Sequence, residues 1–173
     1  MCMPEGDSPA RRCLDIAGRM ARHSLTEARR SVMDLRASML EDQALGAALR
    51  SGAKTWTAGT GVETEVAVDG PEDPLPDEVE QNLLRIGQEA VTNALKHAAA
   101  TRICIRLTRE ARGVSLRIED NGRGFDPRDA FSSLTGHFGV LGMRERAERL
   151  GGSMRLTSSP GQGTAVEASV PLP

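Results

Sequence analysis

The sequence predicts an α+β fold: a two-layer sandwich whose mixed sheet is covered by helices on one face, preceded by a long N-terminal helix. Three observations carry that prediction. Apolar residues recur at steps of three and four over 14–39 and again within 77–99, the spacing of a helix face. They recur at steps of two over 62–68, 103–107, 114–118 and 164–170, the spacing of half-buried strands. After the leading helix, strands and helices follow one another in turn, which a layered domain accommodates.

The elements follow in order. Residues 1–9 mix Pro, Gly and polar side chains and read as a disordered leader. Over 10–38 the only Gly or Pro is Gly18, and one long helix is expected. Its small and apolar positions, Leu14, Gly18, Ala21, Leu25, Ala28, Val32, Leu35 and Met39, form a heptad seam opposite an arginine-rich face. So long a seam exceeds what one small domain needs and points to pairing in a bundle. A helical segment over 41–57 precedes the strand of Val62, Thr64, Val66 and Val68. Three prolines mark 70–76 as a loop, and Asp77 is placed to N-cap a helix over 77–99. Strands are expected at 101–108 and at Val114, Leu116 and Ile118, the latter ending in Asp120-Asn121-Gly122. A short helix over 142–150 leads to strands at Met154 and Leu156 and at Thr164, Val166, Ala168 and Val170. The chain divides as leader 1–9, helix remnant 10–50 and main domain 51–173.

Composition narrows the function classes. The 173 residues carry 22 Lys and Arg against 24 Asp and Glu, a net charge of −2. That balance excludes a general electrostatic footprint for nucleic acid. No apolar run reaches the length of a bilayer span, and 1–12 lacks the apolar stretch of a secretory signal. A cytoplasmic piece without membrane contact is expected, whether or not the parent chain is anchored in the inner membrane. Cys2, Cys13 and Cys104 are odd in number and match no metal spacing, as suits a reducing compartment. With no Tyr, one Trp and three Phe, the core must be aliphatic.

Four segments carry chemistry. Glu89, Asn93, Lys96 and His97 lie at i, i+4, i+7 and i+8, one stripe beside the apolar face of Val79, Leu83, Ile86, Ala90 and Ala94. Such a stripe can hold a cation and contact phosphates, although a solvated polar ladder has the same spacing. Asp120 shares parity with Val114, Leu116 and Ile118 and so turns inward, where a carboxylate needs a donor such as the exocyclic amine of a base. Gly122 and Gly124 would let backbone approach a ligand, while Asn-Gly is also a plain turn signal. Gly136, Gly139 and Gly142 precede a helix and offer N–H groups to an anion, but they form neither a Walker A loop nor a dinucleotide fingerprint. Thr164 opens the last strand on the same parity as Asp120.

In this order, "EAVTNALKHA", "DNGRGF", "GHFGVLGM" and "GQGT" resemble the nucleotide-binding boxes of the gyrase, chaperone, histidine-kinase and mismatch-repair ATPase superfamily. The wording "GHFGVLGMRERAERLGG" is most similar to sensor histidine kinases that drive response regulators with helix-turn-helix output domains. "LTEARRSVMDLR" with "LEDQALGAALR" resembles the second helix of their dimerisation hairpin. The resemblance covers roughly 25–171 and implies ATP and Mg²⁺ as cofactors. It assigns Asn93 to Mg²⁺ and Glu89 to a neighbouring polar or base role, making these the catalytic pair. Lys96 and His97 would contact phosphates. Asp120 would accept from the adenine amine with Thr164 in support, Gly122 and Gly124 would shape the adenine pocket, and Gly139 and Gly142 would line the phosphates under a lid at about 126–138.

The function implied is the ATP-binding catalytic part of a two-component histidine kinase, a transferase of phosphorelay signal transduction. It would present the γ-phosphate to a histidine supplied elsewhere. Its partners would be a response regulator with a DNA-binding output domain, met through the full-length kinase, and a second kinase copy in a homodimer. The early histidine, His23, is followed by Ser24 rather than an acidic residue and falls on the second hairpin helix. Autophosphorylation of this piece by itself is therefore not expected. Two alternatives stay open: a non-catalytic nucleotide-binding dimerisation module, and a serine kinase or ATPase of the same superfamily.

Overall fold

A computed structural model of the chain describes residues 44–126 and 138–172. The leader, the heptad seam, His23, Gly136 and nearly all of the expected lid lie outside these residues.

The elements are α1 (Leu45–Trp56), β1 (Glu63–Asp69), α2 (Asp77–Asn93) running into a π-helical turn (Ala94–Ala98), β2 (Arg102–Glu110), β3 (Gly113–Asp120), α3 (Phe138–Arg149), β4 (Ser153–Ser158) and β5 (Thr164–Pro171). The strands form one mixed sheet in the order β1-β2-β3-β5-β4. Only β1 and β2 run parallel; the other pairs are antiparallel. A parallel pair requires a crossover, which α2 supplies. The antiparallel β2–β3 pair closes through two residues, with Glu110 opposite Gly113.

Alternation builds the core. Ile103, Ile105 and Leu107 of β2, Val114, Leu116 and Ile118 of β3, and Val166, Ala168 and Val170 of β5 join one cluster. The helices add Leu45, Leu49 and Ala53 from α1, Val79, Leu83, Ile86 and Ala90 from α2, and Val140, Met143 and Ala147 from α3. This is the expected sandwich with its aliphatic core. Among the described residues no helix is long and apolar enough to cross a membrane.

Helix α1 falls within the helical segment expected over 41–57, with Leu45, Leu49 and Ala53 on one buried face. The structure departs from the sequence reading at three places. Pro76, not Asp77, is the N-cap of α2, and no side chain caps it. Instead Asp77, Glu78 and Glu80 set negative charge in the first turn, and Glu80 accepts the Leu75 N–H at 3.1 Å. The α-helix ends at Asn93, and the helix to 99 is completed by the π-helical turn. Finally, α3 begins at Phe138 rather than near 142, so Gly139 and Gly142 lie within it. Val140, Met143 and Ala147 bury one stripe of α3, and that packing outweighs the poor helix propensity of glycine.

Candidate functional site

Asp120 closes β3, with Ile103 opposite it on β2 and Thr164 opposite it on β5. Its side chain turns into the layer between sheet and helices, and the residue is only 8% exposed. Burial pushes its carboxyl above the usual carboxylate range. The N–H of Gly122 and the N–H and hydroxyl of Thr164 pull the other way, and the charge of Glu119 adds to the rise. The Gly122 N–H donates to Asp120 Oδ1 at 2.8 Å. A carboxylate has about four lone-pair sites, so room remains for a further donor.

Close backbone packing surrounds that carboxylate. A Cβ on Gly122 would overlap the Ala98 carbonyl at the end of the π-helical turn. Gly124 has φ +59°, and a Cβ there would overlap the Ser159 carbonyl; Gly163 has φ +70°, and a Cβ there would overlap the carbonyl of Asp120. The helix end, the segment after β3 and the β4–β5 turn therefore meet backbone to backbone. Asn121 serves this framework: its Oδ1 accepts the N–H groups of Thr101 and Arg102, each at 2.9 Å, and its Nδ2 donates to Thr101 Oγ1 at 2.9 Å.

The second group sits where α2 faces the start of α3. Gly139 lies directly against Glu89 and Asn93: a Cβ on it would overlap Glu89 Oε1 and come within 3.3 Å of Asn93 Nδ2. Glu89 and Asn93 are half-buried, and neither side chain carries a hydrogen bond or ion pair to another described residue. Lys96 and His97 are exposed on the π-helical turn, and their side chains have no ion-pair partner among the described residues. Single π turns are common at functional sites, and this one ends in Ala99 at φ 51°. Gly142 is half-buried, one turn into α3 beyond Gly139. The fold thus gathers Asp120, Gly122, Gly124 and Thr164 in one place, and Glu89, Asn93 and Gly139 in another. Ala98 links them, since its carbonyl accepts the Arg123 N–H at 2.8 Å.

Two contributors escape the sequence reading. Gly163 makes the close approach to Asp120, within a segment where only Thr164 was singled out. Ser158 is buried and bridges the segment after β3 to β5; its parity with Met154 and Leu156 is the signal that finds it. A separate small surface depression, lined by Leu45, Val68, Leu107 and Arg109, holds none of these residues.

The residues suit an adenine nucleotide with a divalent ion. A buried acceptor beside a glycine-lined cradle fits a base with an exocyclic amine. Among the described residues no three His, Cys, Asp or Glu cluster as a metal site. An ion at Asn93 would therefore complete its shell with water and phosphate oxygens, as Mg²⁺ does. The packing at Gly139 gives a first test. Gly139→Ala should hold or raise stability, by up to about 1 kcal/mol, because alanine favours the helix interior. Its methyl must displace the Glu89 carboxylate, so Mg-ATP affinity should fall roughly tenfold, about 1.4 kcal/mol. Thermal melts beside calorimetric titrations would separate the two effects.

Comparison with known proteins agrees with this geometry. Residues 78–173 match the family described as histidine kinase-, DNA gyrase B-, and HSP90-like ATPase. The chain is 34% identical over 154 residues to a signal transduction histidine-protein kinase/phosphatase, DegS, of Brevibacillus brevis, covering 89% of this chain and 39% of that protein. It is 32% identical over 165 residues to the sensor protein VraS of Staphylococcus saprophyticus, covering 95% of this chain and 46% of that one. The chain spans less than half the length of these curated relatives. Among solved structures, the histidine kinase domain of a blue-light activated kinase from Erythrobacter litoralis aligns with TM-score 0.60 at 27% identity, covering 75% of this chain and 65% of that one. The mycobacterial sensor histidine kinase MprB shares the fold, with TM-score 0.55 at 21% identity over 72% of this chain and 92% of that one. The chain belongs to the histidine kinase-, DNA gyrase B- and HSP90-like ATPase family, as an ATP-binding domain of the two-component sensor-kinase type.

Proposed function

We propose that this domain holds Mg-ATP and presents its γ-phosphate to a histidine carried by another segment or another copy of the kinase. The observation that supports it most is Asp120, buried at a strand end beside Thr164 and enclosed by Gly122, Gly124 and Gly163. Asp120 accepts from the adenine amine, while the Gly122 N–H keeps its Oδ1 in place. The glycines let the helix end, the segment after β3 and the β4–β5 turn close backbone to backbone around that carboxylate. Asn93 would hold Mg²⁺, which would offset phosphate charge, and Glu89 beside it would take up the proton that the attacking imidazole loses. Lys96 and His97, exposed on the π-helical turn, neutralise phosphate charge, and Gly139 and Gly142 give the phosphates room at α3. The nucleotide supplies the phosphoryl group and the metal masks its charge; the protein contributes positioning and electrostatics, as is usual in phosphoryl transfer. The phosphate then passes to a response regulator with a DNA-binding output domain, and the full-length kinase acts as a homodimer.

Calorimetry tests the reading directly. ATP and ADP should bind in Mg²⁺, with ATP at least tenfold weaker in EDTA, a difference of about 1.4 kcal/mol. Equal affinity for GTP and ATP, or none for either, would overturn the adenine assignment. Incubation with γ-labelled ATP should leave this chain itself without acid-labile, base-stable phosphate.

A further inference from the structure

We infer that Ser158 is a positioning residue of the nucleotide site: its buried hydroxyl holds the segment after β3 against Thr164 and thereby sets the base-reading carboxylate of Asp120. The inference rests on the nucleotide reading above. Ser158 and Asp120 are the buried polar residues among those described. Ser158 ends β4 with its side chain on the parity of Met154 and Leu156, opposite Thr164 of β5. Its Oγ accepts the Phe125 N–H at 3.0 Å, donates to the Gly163 carbonyl at 2.8 Å and lies 3.1 Å from Thr164 Oγ1.

One hydroxyl has one proton and two lone pairs. The proton goes to Gly163 and one lone pair takes the Phe125 N–H, leaving the second lone pair facing Thr164. The Thr164 hydroxyl can donate to it, and Thr164 is the residue paired with Asp120 across β3 and β5. Around this junction the β4–β5 turn docks on the segment after β3. The Gly161 N–H donates to the Arg123 carbonyl at 2.6 Å, and Gly124 packs bare against Ser159. Of these ties, only that of Ser158 is made by a side chain, and it joins Gly163 and Thr164, the residues that face Asp120. Removing its Oγ leaves the Phe125 N–H and the Gly163 carbonyl without this partner, and so loosens the segment after β3 from the Gly163–Thr164 backbone that packs against Asp120.

The test is a set of double-mutant cycles on the full chain, read by calorimetry with ATP in Mg²⁺. Ser158→Ala should weaken ATP about tenfold in the parent, and Ser158→Thr, which keeps the Oγ, should recover most of that loss. Residues acting through one network couple, and distant ones add. The tenfold loss should therefore largely vanish in an Asp120→Asn background and persist in a Gly139→Ala background. Unchanged affinity in Ser158→Ala, or the same loss in both backgrounds, would overturn the role. If Ser158→Ala does not fold, Ser158→Cys fills the same space with a weak hydrogen-bonding group and should show the same coupling. A parent chain that binds no ATP would overturn the nucleotide reading itself, whereas a parent that binds ATP beside an unaffected Ser158 variant removes this inference alone.

Discussion

Asp120→Asn is expected to lower ATP affinity ten- to a hundredfold while the domain stays folded. The exchange keeps the shape but puts an amide donor where an acceptor stood, so it meets the adenine amine donor to donor. An unpaired buried polar pair costs about 1–3 kcal/mol, which gives that range. Guanine presents a carbonyl where adenine presents an amine, so the variant should discriminate less between GTP and ATP. The pH dependence has a definite sign. Burial raises the Asp120 carboxyl above its usual range, so the nucleotide-free native state binds this proton more tightly than the unfolded chain. The contribution of this group to stability is thus full below the ordinary carboxylate range and is lost as pH rises through the raised value. Asp120→Asn removes that loss, so the variant should match or exceed the parent in stability at neutral pH. ATP binding runs the opposite way, because only the ionised form accepts from the amine. Affinity of the parent should fall on acidification through the raised value, and Asp120→Asn should lack that limb. Melts and titrations across pH 4–8 would read both; an Asp120→Asn protein that binds ATP as tightly as the parent would reduce Asp120 to a turn residue.

Gly163→Ala should be the most damaging small substitution in the site. Gly163 sits at φ +70°, and an added methyl would overlap the backbone carbonyl of Asp120 rather than a movable side-chain tip. A left-handed non-glycine residue costs about 1–3 kcal/mol, and forced overlap in packed structure about as much again. Together they remove about 2–6 kcal/mol from a domain whose whole margin is roughly 5–15 kcal/mol. The melting temperature should drop by about 10 °C or more, with ATP binding lost because the strand end carrying Asp120 must move. Gly161→Ala is the control. It also has positive φ (+79°), but a Cβ there meets nothing within 4 Å, so only the conformational cost of about 1–3 kcal/mol applies. Equal melting temperatures for the two variants would show that the close approach at Asp120 has no energetic weight.

The strands, the aliphatic core and the inward turn of Asp120 were legible in the sequence because each follows from a period-two pattern that the sheet enforces directly. Val114, Leu116, Ile118 and Asp120 share a parity in the sequence and a burial class in the fold. The heptad pattern of 14–39 is a periodicity of the helical kind, and it lies outside the described residues. Element ends were less legible. The start of α3 at Phe138 and the π-helical turn at Ala94–Ala98 were settled by packing partners distant in sequence, which no local periodicity encodes. Membership of an ATPase family was written in the order of four short segments, each weak singly. What only the tertiary structure decided is how those segments meet: Gly139 against Glu89 and Asn93, Gly122 beneath Ala98, Gly163 against Asp120, and Ser158 between Phe125 and Thr164. These are contacts across 6 to 50 residues of chain, fixed by hydrogen-bond geometry and excluded volume in the folded state. Side-chain alternation could point Asp120 inward, but only the packed backbone could show what it faces.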